Sequence, residues 1–171
     1  LNVLNSIAEQ AFPKSSTEII VVDDGSEDRT AALVKDWIVK QEVNAKIISP
    51  DKNKPIGAGK KNALNEGIRI ATGELIITTD ADCTMGKEWL STIVSYYEKY
   101  SPEMIAGMVA IKGQNNFSSA FQSLELMGLT AIGAAVIYFH QPLLCNGANL
   151  AYRKNIFEDT GGYNITKETS S

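Results

Sequence analysis

The chain has 171 residues, of which 44% are hydrophobic and 21% are charged, and its formal net charge at pH 7 is -4. A chain of this length and apolar content can bury one sizeable core, so the sequence predicts a single domain over residues 1–171. Basic residues are not gathered in any one stretch, which argues against a nucleic-acid partner. Cys83 and Cys145 have neither the spacing of a metal site nor the density of a disulfide scaffold, so a reducing, cytoplasmic location is expected.

The first apolar pattern in the chain is helical. Val3, Leu4, Ile7 and Ala8 recur at helical spacing before any strand is indicated, and they predict a helix over residues 1–12. A parallel α/β sheet normally begins with a strand. We therefore expect this chain to be part of a longer domain.

Strands and helices alternate along the rest of the chain. The first strand, EIIVV (Glu18 to Val22), has four consecutive β-branched residues, which is typical of a strand covered on both faces of a parallel sheet. Ser26 or Asp28 can cap the helix that follows. The later predicted elements are a helix over 27–41, a strand over 45–49, a helix over 59–71, a strand over 74–79, a helix over 87–100, a strand over 104–112 and a helix over 116–138. This alternation indicates an α/β fold with a mostly parallel sheet flanked by helices.

The last of these helices contains the longest apolar run, which extends for 14 residues from Leu126 to Phe139. A membrane-spanning helix needs roughly 20 such residues. The sequence therefore favours a buried helix that packs on the sheet. The alternative is a helix that lies at a membrane interface and helps to receive a lipid-linked acceptor.

Two of the predicted strands end in pairs of carboxylates. Asp23 and Asp24 follow the first strand, and Asp80 and Asp82 follow the third. Ligands of open α/β sheets collect outside the carboxyl ends of the strands, where a hard divalent cation bridging phosphate oxygens would relieve the repulsion among four carboxylates. In an extended Asp-x-Asp segment both side chains point to the same face and can share one ligand. The competing interpretation is that these acids only cap helices.

Glycines and lysines precede the helix predicted over 59–71. Gly57 and Gly59 permit tight backbone conformations, and Lys60 or Lys61 in the first helical turn can meet a phosphate together with the helix N-terminus. A solvent-exposed loop rich in Gly and Lys explains this segment equally well.

Three segments, in this order and at these separations, resemble family-2 glycosyltransferases of the GT-A fold: IIVVDDGSEDRT, GKKNALNEGIRIATGELIITTDADC and CNGANLAYRKNIFEDTGGY. The resemblance covers residues 1–163. It implies a metal-dependent, inverting, hexosyltransferase-type enzyme that moves a sugar from a nucleotide-diphosphate sugar, most commonly a UDP-sugar, to an acceptor hydroxyl. It also implies a glycan or lipid-linked acceptor, a role in cell-wall or polysaccharide biosynthesis, and work at the inner face of a membrane with contact to its surface.

The resemblance also implies roles for the residues around the acid pairs. Asp23 and Asp24 would contact the base and ribose of the nucleotide, and Lys60 would lie near the base or the phosphates. Asp80 would face the ribose side. Asp82, together with Asp80, would hold a Mn²⁺ or Mg²⁺ ion that bridges the diphosphate.

The CNGANLAYR segment would form the far wall of the donor-sugar and acceptor site, with Asn146, Gly147 and Asn149 as candidate contacts. A turn followed by a strand explains the same segment equally well. The family carries its general base in an acidic motif downstream of a GGY like that of this chain, and no acid up to Ser171 matches that motif. The resemblance therefore assigns no base, and we expect the chain to bind a nucleotide sugar without turning it over.

Two other functions stay open at the level of sequence. DADCT fits the Asp-x-Asp-x-Thr motif of haloacid-dehalogenase-like phosphatases, in which Asp80 would be the nucleophile and Asp82 the acid/base. That motif ordinarily follows the first strand of its domain, whereas here it follows the third. A nucleotide-sugar binder without catalytic activity is the second alternative.

Overall fold

Helices and strands alternate in the computed structural model, which describes residues 1–50, 59–112, 117–139 and 145–163. The helices are α1 Asn2–Ala8, α2 Thr30–Gln41, α3 Lys60–Ile70, α4 Trp89–Tyr100, α5 Phe117–Tyr138 and α6 Lys154–Asp159. The strands are β1 Ile19–Val22, β2 Ala45–Ile48, β3 Leu75–Thr78, β4 Met104–Ala106 and β5 Leu150–Arg153. Short 3₁₀ helices lie at Lys14–Ser16 and Gly147–Asn149. The predicted elements are confirmed, although α1 and β4 are shorter than predicted.

The strands form two hydrogen-bonded groups. β1 and β2 pair in parallel, with Ile19 opposite Ala45, as a strand, helix, strand unit predicts. In the second group β5 lies between β3 and β4 and runs antiparallel to both. β5 departs from the parallel prediction because the turn before it lies at the carboxyl end of β3, with Thr78 opposite Leu150, so the chain runs back along β3.

The first hydrophobic core joins α1, α2 and β1. The indole N–H of Trp37 donates to Asn5 Oδ1 at 2.7 Å, which satisfies the polar atom of a buried ring. Met85, three residues after Asp82, packs against this core and so anchors the segment that follows β3. The buried members are Val3, Leu4, Ile19, Val34 and Trp37.

The second core joins α3 to β5 and β3. Its buried members are Ile68, Leu150 and Tyr152. Burial raises the pKa of the Tyr152 phenol. α3 also packs on β1, and a Cβ at Gly67 would lie 2.9 Å from Val22 Cγ2, so a glycine is needed for this close approach. α3 therefore contacts both groups of strands.

Glu18, directly before β1, links the β1 and β2 pair to the segment before β3. Its Oε1 accepts from Lys46 Nζ at 2.7 Å, and its Oε2 accepts from the backbone N–H of Thr72 at 2.8 Å. Lys46 Nζ also donates to the carbonyl of Ile70 at 3.1 Å. Burial alone would raise the pKa of the Glu18 carboxyl, but the hydrogen bonds from Lys46 and Thr72 outweigh burial and hold the pKa below its ordinary value.

We expect Glu18→Gln to lower the free energy of unfolding at pH 7 and to reduce the loss of this free energy when the pH is lowered. Because the pKa of Glu18 is lower in the folded protein than in the unfolded chain, its stabilising contribution is present above about pH 4.3 and is lost as the pH falls through the folded-state pKa. Urea unfolding at pH 7 and pH 3 measures this, with Glu98→Gln on the exposed side of α4 as the control. An equal loss at both pH values would contradict the linkage.

α5 is not the buried helix that the sequence favours. Among its described residues only Gly133 is buried, and 6% of its most apolar 18-residue window is covered by the rest of the described protein. The helix has 22 residues with a mean hydropathy of 1.5 in that window, so its length and composition are those of a helix that can cross a membrane. Its large exposed side chains are Phe117, Phe121, Leu124, Met127, Leu129, Ile132 and Tyr138. The prediction was wrong because it rested on the 14-residue apolar run, whereas the helix extends over 22 residues and the described residues cover little of it.

Candidate functional site

The acid pair after β3 lies on a turn. β3 ends at Thr78, and the backbone N–H of Cys83 then donates to the carbonyl oxygen of Asp80 at 3.1 Å. The sequence predicted that Asp80 and Asp82 lie on one face of an extended strand. The structure places them on a turn instead. The extended conformation ends early because the pairing with β5 ends at Thr78.

Lys60 pairs directly with one of these acids. Its Nζ lies 2.5 Å from Asp80 Oδ1, and the side chains of Lys60 and Asp80 are 62% and 35% exposed. At this exposure the pair adds about 0–1 kcal/mol to stability, so its main effect is to balance the charge of Asp80. Lys60 reaches Asp80 as the first residue of α3, directly after Gly59, whose φ of 107° favours glycine. Gly57 lies outside the described residues.

Asp82 is exposed, and the weak contact at its carboxylate comes from Cys83 Sγ, 3.8 Å from Oδ1. Within the described ranges, no group of three or more His, Cys, Asp or Glu residues is arranged to hold a metal ion. Two carboxylates need further oxygen ligands, and sites for Mg²⁺ commonly obtain them from phosphates and water. Asp80 and Asp82 therefore fit a hard divalent ion that arrives with a diphosphate.

The acid pair after β1 is divided between a buried and an exposed position. Asp23 is buried, and its Oδ1 accepts from the backbone N–H of Ser26 at 3.1 Å. Asp24 is exposed to solvent. Asp23 therefore stabilises its own turn and does not cap a helix, because α2 begins only at Thr30, while Asp24 has no such contact in the described structure.

Of the two proposed caps of α2, Asp28 makes the contact. Its Oδ1 accepts from the backbone N–H of Thr30, the first residue of α2, at 2.9 Å. The hydrogen bonds from the Thr30 hydroxyl and backbone hold the pKa of Asp28 below its ordinary value.

The CNGAN turn lies against the end of β3. The carbonyl oxygen of Gly147 accepts from the hydroxyl of Thr78 at 2.8 Å, and Asn146 Oδ1 accepts from the backbone N–H of Ala148 at 3.0 Å. Thr78 lies two residues before Asp80. The structure thus brings Asn146 and Gly147 to the same end of β3 as the second acid pair.

The carboxamide of Asn149 is occupied by contacts within the protein. Its Oδ1 accepts from the indole N–H of Trp89 at 2.9 Å, and its Nδ2 donates to the carbonyl of Met108 at 2.9 Å. Its role as a sugar contact stays a prediction from the resemblance. The sequence reasoning missed Thr78, Trp89 and Gly107. The one signal available in the sequence was the hydroxyl of Thr78 at the end of an apolar strand, because a buried hydroxyl needs a hydrogen-bond partner.

α3 connects the segments on which the family resemblance rests. Lys60 at its start pairs with Asp80, and Gly67 packs on β1. Asn65 Oδ1 accepts from the backbone N–H of Tyr163 at 3.2 Å, and Asn65 Nδ2 donates to the Tyr163 carbonyl at 3.3 Å. The GGY segment therefore docks on the helix that carries Lys60.

This arrangement agrees with the comparison to known families. The sequence matches the family described as glycosyl transferase family 2 over residues 1–161. The chain belongs to glycosyl transferase family 2. Membership in this family favours a transferase over the phosphatase interpretation of DADCT.

Relatives of this chain include the poly(ribitol-phosphate) beta-N-acetylglucosaminyltransferase TarS of Staphylococcus aureus. It is 28% identical over 162 residues, which are 94% of this chain and 26% of TarS. The structure of S. aureus TarS 1-349 in complex with UDP-GlcNAc has a TM-score of 0.65 at 24% identity and covers 93% of this chain and 42% of that one. The mannosyltransferase PcManGT from Pyrobaculum calidifontis, in complex with GDP-Man and Mn²⁺, has a TM-score of 0.65 at 23% identity, over 93% and 41%. The chain has the GT-A fold, and it spans less than half of each of these proteins.

Proposed function

We propose that this family-2 chain forms the donor-binding part of a metal-dependent, inverting glycosyltransferase of hexosyltransferase type. The observation that carries the proposal is the convergence of Lys60, Asp80, Asp82 and the turn at Asn146 on the carboxyl end of β3. This is the end of the strand at which ligands of α/β sheets bind.

The nucleotide is bound by the first acid pair and by Lys60. Asp24 is exposed and available to a ribose or base, while Asp23 holds the turn that presents it. Lys60 balances the charge of Asp80 in the described structure. When a diphosphate binds, Lys60 can pair with a phosphate oxygen, because an ammonium on a flexible stem exchanges one anionic partner for another at small cost.

Asp80 and Asp82 would hold the Mn²⁺ or Mg²⁺ ion. When bound, the ion supplies charge neutralisation at the leaving nucleoside diphosphate. The residues of the chain have a separate task, which is to bind and orient the donor so that its anomeric carbon faces the acceptor hydroxyl. The acceptor oxygen bonds to the anomeric carbon on the face opposite the nucleoside diphosphate as the bond to that leaving group breaks, and a general base accepts the hydroxyl proton. Attack from the opposite face inverts the configuration of the carbon. Glu158 and Asp159 on α6 do not match the base motif that the resemblance implies, so neither is proposed as the base.

For the donor we propose a UDP-sugar, with a glycan or a lipid-linked molecule as the acceptor. The UDP-GlcNAc complex of TarS supports a uridine donor, and the GDP-Man and Mn²⁺ complex of PcManGT supports the divalent ion and leaves guanosine as the competing base. By name, TarS is an N-acetylglucosaminyltransferase of poly(ribitol-phosphate) and PcManGT is a mannosyltransferase. Cell-wall or polysaccharide biosynthesis follows for this chain as part of the same proposal.

A thermal unfolding panel tests this function. The chain is heated with UDP, GDP, CDP or TDP, each with and without Mn²⁺. A nucleotide present at one hundred times its dissociation constant adds about 2.7 kcal/mol to the free energy of unfolding. We expect UDP with Mn²⁺ to raise the melting temperature more than UDP or Mn²⁺ alone. If no nucleotide stabilises the chain in the presence of Mn²⁺, the proposal is wrong.

We further propose that the enzyme works on the cytoplasmic side of a membrane and that α5 contacts the membrane surface. The exposed apolar side chains of α5 support this location, among them Phe121 and Leu124, which are 59% and 67% exposed. We expect a double Phe121→Ser, Leu124→Ser variant to lose co-sedimentation with phosphatidylglycerol vesicles. Leu33→Ser on α2, where the leucine is 43% exposed, is the matched control and should leave it unchanged. Equal sedimentation of wild type and the double variant would refute the contact.

A further inference from the structure

The turn at Asn146 to Ala148 is held from two sides, and the first side is the end of β3. Thr78 is buried, with 9% of its surface exposed, and its Oγ1 lies 2.8 Å from the Gly147 carbonyl oxygen and 3.3 Å from that of Leu150. A hydroxyl has one hydrogen to donate, and the shorter distance identifies Gly147 as the main acceptor. Thr78 is the last residue of β3 and lies two residues before Asp80. Its side chain thus orients the peptide of Gly147.

The second side is formed by Asn149 and the residues around it. The Asn149 carboxamide bridges the indole of Trp89 and the carbonyl of Met108, and its backbone oxygen accepts from the N–H of Gly107 at 2.8 Å. A Cβ at Gly107 would lie 2.2 Å from Asn149 Nδ2, so this position leaves no room for a side chain. These contacts hold the far end of the turn to α4 and to the segment after β4.

The side chains of Asn149 and Thr78 therefore form hydrogen bonds within the protein, while Asn146, at the start of the turn, is exposed. A turn held at both ends keeps Asn146 and Gly147 in one place relative to Asp80. The nucleotide, by contrast, is assigned to Asp23 and Asp24, directly after β1, and to Lys60, and none of the three forms a hydrogen bond to the turn among the described residues. Disturbing the turn should then affect the sugar and spare the nucleotide.

We propose that Thr78 and Asn149 are positioning residues that hold the Asn146–Ala148 turn beside Asp80 and so determine the affinity for the sugar part of the donor. The inference rests on the proposed function, because it names which part of a nucleotide sugar the turn serves. In this proposal Asn149 acts on the donor through the turn, by the contacts of its carboxamide with Trp89 and Met108.

The first test compares Thr78→Val with Thr78→Ser by isothermal titration calorimetry in Mn²⁺, with UDP and UDP-GlcNAc as the two probes. Val keeps the shape of Thr and removes the donor to Gly147, whereas Ser keeps the hydroxyl. We expect Thr78→Val to raise the dissociation constant for UDP-GlcNAc about fivefold, the size expected for one lost hydrogen bond, and to change that for UDP by less than about twofold. Thr78→Ser should restore the wild-type value for UDP-GlcNAc.

The second test reaches the turn from the other side. The three atoms nearest to a Cβ built at Gly107 all belong to the Asn149 carboxamide, so Gly107→Ala displaces that group and we expect the same selective loss of UDP-GlcNAc affinity. Gly128→Ala on α5 is the matched control, because nothing lies within 4 Å of a Cβ built there, and it should bind both probes as the wild type does.

The outcomes separate the two proposals. If the wild type binds neither UDP nor UDP-GlcNAc, the proposed function fails and the positioning role fails with it. If the wild type binds UDP but Thr78→Val and Gly107→Ala weaken UDP and UDP-GlcNAc equally, or weaken neither, the function stands and the positioning role is overturned. A lower melting temperature without ligand is expected of both variants and supports only a structural contribution.

Discussion

Asp82→Asn is expected to abolish the metal-dependent part of nucleotide binding while the fold stays intact. The side chain is exposed, and its described contact is the weak one from Cys83 Sγ at 3.8 Å, so the amide replaces the carboxylate without leaving a buried partner unsatisfied. Under the proposed function, the variant loses an anionic oxygen ligand for a hard cation. We expect the dissociation constant for UDP in Mn²⁺ to rise about a hundredfold, which corresponds to roughly 2.7 kcal/mol.

The measurement is UDP affinity with and without Mn²⁺ for wild type, Asp82→Asn and Asp36→Asn. Asp36 is an exposed acid on α2 and controls for the change in net charge. Binding without Mn²⁺ should be the same in all three proteins. A metal-dependent affinity that survives in Asp82→Asn would mean that the ion is held by other residues, and the assignment of this acid would be wrong.

Trp37→Ala is expected to cause the largest loss of stability among single changes in the first core. The ring is 6% exposed and packs with Val3, Leu4, Ile19 and Val34. Removing it leaves a cavity and also leaves Asn5 Oδ1 without the 2.7 Å hydrogen bond from the indole. Truncation of a buried Trp to Ala costs about 3–5 kcal/mol.

Urea unfolding of Trp37→Ala, Trp37→Phe and Leu33→Ala measures this cost. Trp37→Phe keeps an aromatic ring and loses the hydrogen bond, so its free energy of unfolding should lie between those of Trp37→Ala and the wild type. Leu33, 43% exposed on the same helix, should lose less than about 1 kcal/mol. A cost below 1 kcal/mol for Trp37→Ala would contradict the described packing of α1 and α2 against β1.

The same core bears on the candidate site through Met85. This side chain packs against the core, and its sulfur lies 3.8 Å from Ser6 Oγ on α1 and 3.9 Å from Thr79 Oγ1. Thr79 precedes the turn that carries Asp80 and Asp82, and Met85 follows it. A weakened core should therefore loosen the acid turn before the whole chain unfolds. The site is built on a loop, but one whose two ends are anchored.

Much of the site could be predicted because its parts are local patterns. The apolar strands at EIIVV and ELIITT, the acids directly after them, and the glycine and lysine at the start of α3 each lie within a few residues of one another. Such short segments carry their own secondary-structure preference, and the carboxyl ends of strands are where an α/β fold places ligands. The family follows from these segments in their order.

The tertiary structure alone decided how these parts meet. β5 inserts antiparallel between β3 and β4, and Thr78 bonds to Gly147 across 69 positions of sequence, a contact that no local pattern encodes. The turn at Asp80 replaced the expected extended segment because strand pairing ends two residues earlier. The burial of α5 was likewise decided by the tertiary structure. Composition determines only that a helix is apolar, whereas its exposure depends on which surfaces the fold places beside it.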